Sequence, residues 1–161
     1  PLPWLAQVST AFGVAITDAD ADGVQDLVLV HNFFSPEPET GRIDGGLGLL
    51  LRGLGKLQFE PVRGEVSGLL VTGDAKALAL LDGGGTAGLL ITRNDAEALL
   101  LHSIRGRNAS DGSSSFLRVR LRGPAGNPTG VGARVDLLQD GKVLARGEVQ
   151  AGGSYLAQSS P

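Results

Sequence analysis

The chain of 161 residues contains no cysteine. That excludes a disulfide framework, a thiol nucleophile and a thiolate metal site, and it leaves the redox compartment unread. An excess of one charge is also missing: the formal net charge is −3, too small to draw the chain toward nucleic acid or another polyanion. Histidine is limited to His31 and His102. Neither has an acid at ligand spacing, so both read as packing or surface residues rather than ligands or catalysts. No apolar run approaches the roughly 20 residues of a membrane-spanning helix. The opening Pro1-Leu2-Pro3-Trp4 lacks the basic start and apolar stretch of a secretory signal. Either the chain is cytoplasmic, or it is a fragment of a secreted or cell-surface protein whose signal lies upstream.

What the chain does have is glycine, 25 residues of it, together with 8 prolines. Usage well above the average of about 7% for glycine points to many tight turns and an all-β fold. Phe12 to Thr17 and Leu27-Val28-Leu29-Val30 read as buried strands flanking a run of aspartates. Ser35 to Gly41, with two prolines and a glycine, reads as an exposed loop. Leu47 to Arg52 and Leu57 to Val62 then suggest a hairpin that turns at Gly53-Leu54-Gly55-Lys56.

The order recurs. Ile16-Thr17-Asp18 aligns with Leu80-Leu81-Asp82, and Leu27 to Asn32 aligns with Leu89 to Asn94, the second alignment shorter by two residues. Those two are lost inside the loop, where four aspartates give way to Asp82-Gly83-Gly84-Gly85-Thr86-Ala87-Gly88. With one carboxylate left, the second copy is expected to hold no metal. The same glycines fit GxGxxG, but a strand rather than a helix follows and no acid lies about 20 residues on, which argues against a dinucleotide site.

The segment 108–115, Asn-Ala-Ser-Asp-Gly-Ser-Ser-Ser, reads as a linker and divides the chain into residues 1–107 and 116–161. Charge changes sign across it: residues 1–115 carry 8 basic and 14 acidic side chains, residues 116–161 carry 6 and 3. Beyond it, Leu117, Val119 and Leu121 alternate with Arg118, Arg120 and Arg122, a strand period that makes the arginines a basic ladder for a sulfated or carboxylated glycan or else a solvated outer face. Ala133 to Leu137 and Val143 to Ala145 suggest two more strands, turning at Gln139-Asp140-Gly141-Lys142.

The loop Asp18-Ala19-Asp20-Ala21-Asp22-Gly23-Val24-Gln25-Asp26 carries the chemistry. Carboxylates at its first, third, fifth and ninth positions suit a hard cation that takes six to eight oxygens, as Ca2+ does. Asp18, Asp20 and Asp22 would each give an oxygen, Val24 its backbone carbonyl and Asp26 the closing carboxylate, while Gly23 permits the sharp turn. An EF-hand is excluded, because its twelfth position would be Leu29, inside a strand. Glu37 and Glu39 lie in the proline loop, which is no rigid platform for a catalytic carboxylate pair.

Phe12-Gly13, the aspartate loop, the strand that follows and the recurrence resemble FG-GAP or VCBS-type repeats. These are calcium-binding, four-stranded β-propeller blades with the calcium loop between the first two strands. Leu121-Arg122-Gly123, Asn127, Gly130 to Val135 and Gly152 to Ser159 are similar to the ASPIC/UnbV domain, which follows such repeats in proteins related to cartilage acidic protein 1. The resemblance implies a partial β-propeller of one to two blades followed by a small β-sandwich-like domain. It further implies a non-catalytic, calcium-binding module that meets a protein or glycan at the cell surface and packs against the remaining blades of its own chain. The alternative is an accessory region of a larger secreted enzyme, such as a polysaccharide-active protein. Asn108-Ala109-Ser110 also has the pattern of a glycosylation sequon.

Overall fold

Turns rich in glycine and aspartate divide the chain into nine strands among the described residues of the computed structural model, which are 2–20, 22–82, 87–102, 117, 119–153 and 157. Strands β1 (Ala11–Thr17), β2 (Asp26–His31), β3 (Leu49–Gly53) and β4 (Phe59–Val62) form one antiparallel sheet in that order. A single helical turn, α1 (Gly64–Ser67), leads to a second antiparallel sheet of β5 (Asp74–Asp82), β6 (Ala87–Asn94) and β7 (Ala96–His102). Strands β8 (Arg134–Gln139) and β9 (Lys142–Glu148) pair as a hairpin closed by Asp140 and Gly141, both with positive φ. The all-β class expected from composition is the observed one.

Two details differ from the sequence reading. Leu57 belongs to the β3–β4 turn, with φ at +59°, rather than to the strand after it. Leu117, Val119 and Leu121 are not in a strand, and Leu117 and Val119 are exposed; alternation alone does not make a strand, and among the described residues no partner takes their hydrogen bonds. Beyond residue 116 the described residues form one two-stranded sheet with no second sheet facing it. The linker 108–115, the sequon and residues 83–86 lie outside the described residues.

The two larger sheets share a register. Ile16 faces Leu27 as Leu80 faces Leu89, and Val14 faces Leu29 as Leu78 faces Ile91. The first strand is matched 64 residues on and the second 62, the same offsets found in the sequence. Both first strands are interrupted at the equivalent place, between Ala11 and Gly13 and between Ala75 and Ala77. The third strands follow suit: Leu27 faces Leu51 as Leu89 faces Leu101.

One face of the first sheet packs on one face of the second. Ala15, Val28 and Val30 meet Ala75, Leu78 and Ile91, with Leu69 and Val71 from the connection completing the core. The sheets meet closely where β1 crosses β5. A methyl at Gly13 would sit 2.6 Å from Val30 Cγ2 and 2.9 Å from Leu78 Cβ, so only glycine fits. A polar clamp closes the same junction. Buried Asn32 donates from Nδ2 to the carbonyls of Gly46 (2.8 Å) and Gly73 (2.7 Å), and its Oδ1 accepts the Gly46 amide (2.9 Å). Lys76, the residue at the interruption of β5, pairs with buried Asp74 and donates to the Asn32 carbonyl at 2.8 Å. Its ammonium also lies 3.7 Å from the ring centroid of Phe12, the residue at the interruption of β1.

Replacing Asn32 by Ala leaves the Gly46 amide and two carbonyls without their side-chain partner. An unsatisfied buried group costs about 1–3 kcal/mol, so urea titration of Asn32→Ala is expected to show a loss of about 3 kcal/mol. His31, at the end of β2, is buried and neither ring nitrogen has a hydrogen-bond partner. Burial holds its pKa below the ordinary 6.5. The unfolded chain therefore takes up a proton near that value before the folded one does. Stability is expected to fall as pH drops through 6.5 and to level off below the folded pKa, and unfolding curves for His31→Leu should lose that part of the pH dependence.

Candidate metal centre

The aspartate loop joins the C-terminal end of β1 to the start of β2, and its shape follows from carboxylates capturing backbone amides. Asp18 accepts the amides of Asp22 at Oδ1 (3.1 Å) and Gly23 at Oδ2 (2.9 Å). Asp22 Oδ1 accepts the amide of Val24 at 2.8 Å. These local bonds, the Asx-type turns that aspartate favours, fold the loop back over its own first residue. Gly23, with φ at +87°, makes the reversal that a side chain would strain.

The result gathers Asp18, Asp20 and Asp22, each offering a carboxylate oxygen, with those oxygens all within 4.8 Å of one another. Ligands around Ca2+ lie at about 2.3–2.6 Å from the ion, so two oxygens on opposite sides of one ion are separated by about 4.6–5.2 Å. The cluster can thus hold a metal ion, and its donors are all hard oxygens, which suit an alkaline-earth cation better than a thiophilic one. Like charges this close repel by roughly 1 kcal/mol per pair even at the dielectric of water.

Asp26, expected as the closing ligand, lies outside that group. It is 1% exposed, and both of its oxygens accept backbone amides: Oδ1 from Gly53 on β3 and Oδ2 from Ala19 in the loop, each at 2.8 Å. Its carboxyl pKa is raised, first by burial and further by the charges of Asp20 and Asp22, against the lowering effect of the two amide bonds. Asp26 acts here as a brace that ties the loop to the sheet. Val24, expected to offer its carbonyl, enters the observed bonding through its amide.

Sequence reasoning missed two members of the site. Arg52, on β3, places Nε 3.2 Å from Asp20 Oδ2 and NH1 3.3 Å from Glu60, its register partner on β4. It supplies one positive charge to the acidic loop, and nothing within the loop's own sequence signals it. Gly53 is the other: its amide serves Asp26, and a Cβ there would collide with the Gln25 carbonyl oxygen and approach Val24 Cγ1 to 2.9 Å. Of the remaining candidates, Arg120 and Arg122 are exposed and far along the chain, and Arg118 lies outside the described residues. No other group of three metal-ligating side chains occurs among the described residues.

Gly53→Ala is expected to lower stability by about 1–3 kcal/mol, the usual range for overpacking, and to expose the Ala19 and Val24 amides. Amide hydrogen exchange of the loop would report it: faster exchange at these two positions, with the β8–β9 hairpin unaffected. Comparison with protein-family models, curated proteins and solved structures gave no match, so the reading of the site rests on its own residues.

Proposed function

We propose that the chain is a non-catalytic, calcium-binding module of a secreted or cell-surface protein, with one Ca2+ held by Asp18, Asp20 and Asp22. The observation that carries this reading is the convergence of three carboxylates within 4.8 Å in a loop already folded by its own amides. Asp26 and the backbone at Val24 complete the set through the lone pairs that their observed bonds leave open. The ion would offset the mutual repulsion of the aspartates and fix the turn between β1 and β2.

In the same reading the β1–β4 and β5–β7 sheets are consecutive propeller blades, the second having lost its ion, and residues beyond 116 belong to a small β-sandwich-like unit. The shared strand registers of the two sheets support the blade assignment. Protein or glycan partners at the cell surface would meet the exposed loops, with Arg120 and Arg122 as the basic contribution. The affinity expected is that of extracellular calcium modules, on the order of 10⁻⁴ to 10⁻³ M.

At about 10 mM Ca2+ such a site stabilises the fold by about 1.4–2.7 kcal/mol, which raises Tm by roughly 5 °C for a chain of this size. Thermal melts with calcium and with chelator check this. Asp20→Asn is the informative variant, because it removes one charge of the cluster while Asp18, Asp22 and Asp26 keep the amides they accept. It should melt like the chelated protein whether or not calcium is added. Superimposable melts of the native chain with and without calcium would refute the site.

A further inference from the structure

A basic side chain from outside the aspartate loop reaches the three-carboxylate group. Arg52 stands on β3, next to Leu51, which pairs with Leu27 on one side and Pro61 on the other. The amide of the following residue, Gly53, is held by buried Asp26, so the root of the arginine side chain is fixed relative to the loop. From there Nε lies 3.2 Å from Asp20 Oδ2 while Nη1 lies 3.3 Å from Glu60 Oε1. One guanidinium thus spans two acids with separate nitrogens, as its planar fork allows.

The two acids differ in setting. Asp20 belongs to the carboxylate group and its side chain is mostly buried, whereas Glu60 is half exposed on β4 and takes no part in the group. Asp18 and Asp22 accept backbone amides, which carry no net charge. At Asp20 the loop's charge is instead answered by a full positive charge. A cation seated among Asp18, Asp20 and Asp22 meets that charge at the same carboxylate, and each weakens the other's hold. Glu60 gives the guanidinium a place to stay when it lets go of Asp20.

We propose, resting on the calcium reading of the loop, that Arg52 is a tethered competitor for the ion. It pairs with Asp20 in the ion-free chain, turns to Glu60 when a divalent cation enters, and so lowers the affinity of the site. By linkage, whatever the Arg52–Asp20 pair adds to the ion-free fold is subtracted from calcium binding. The guanidinium is partly exposed, which puts the effect in the range of surface ion pairs, a factor of about two to five in Kd. The arginine steadies the loop without the ion and makes the ion easier to release.

The test is equilibrium dialysis of the full chain against calcium, with melting curves in chelator. Arg52→Gln is expected to bind calcium about two- to fivefold more tightly than the native chain and to melt lower in chelator. That lower melting should vanish when Asp20→Asn is also present; a loss of the same size there overturns the pairing. Arg52→Lys keeps the charge but not the fork, and it serves alone if the glutamine variant does not fold. It too should bind more tightly than the native chain, and native affinity in the lysine variant overturns the proposal, because long-range charge alone then sets the affinity. Glu60→Gln should weaken binding, by a smaller factor in a chain that also carries Arg52→Gln; equal factors overturn the exchange. If the native chain binds calcium and Arg52→Gln binds no more tightly, the role of Arg52 is refuted while the metal site stands. A native chain that takes up no calcium refutes both.

Discussion

The buried carboxylate of Asp26 is the constraint on which the site depends. It sits at the first residue of β2, opposite Thr17, and its two oxygens hold the amides of Ala19 and Gly53. One side chain thereby fixes the beginning of the loop, the register of the first hairpin and the end of β3. Burying that charge is costly, as the raised pKa reflects. Its two amide bonds return part of the cost, because hydrogen bonds to an ionised acceptor are stronger than neutral ones. The loop that it anchors then folds its other aspartates inward through their own amide bonds.

Crowding three more carboxylates above this brace creates a local imbalance that Arg52 meets only in part. The guanidinium reaches Asp20 from outside the loop and divides itself between that residue and Glu60. A dication among the aspartates would answer the imbalance directly, so the geometry of the loop and its charge point to the same chemistry. Gly53 links the two requirements. It donates the amide that Asp26 needs, and its lack of a side chain leaves room for the Gln25 carbonyl to pass beneath the loop.

Much of this was legible in the residues. The β1–β2 hairpin, the β3–β4 pair and the β8–β9 hairpin stand where apolar runs and turn residues place them. The offsets that relate the two sheets emerge from simple alignment. Other features were hidden for identifiable reasons. Strand β7 follows a turn as short as Asn94-Asp95, with Asp95 at φ +52°, and without a glycine to announce it. Leu117, Val119 and Leu121 alternate convincingly, but no strand among the described residues pairs with them. Spacing marks Asp26 as a residue that can approach an ion, but it does not reveal the two backbone amides that its oxygens accept. Arg52 was invisible because sheet pairing, rather than sequence, brings it to Asp20.

Direct measurement of calcium binding by equilibrium dialysis tests the central claim most closely. The account predicts one ion per chain, with Kd on the order of 10⁻⁴ to 10⁻³ M, and loss of binding in Asp20→Asn while the fold is retained. No binding at about ten times that concentration, or a full complement of calcium in the Asp20→Asn chain, would contradict it.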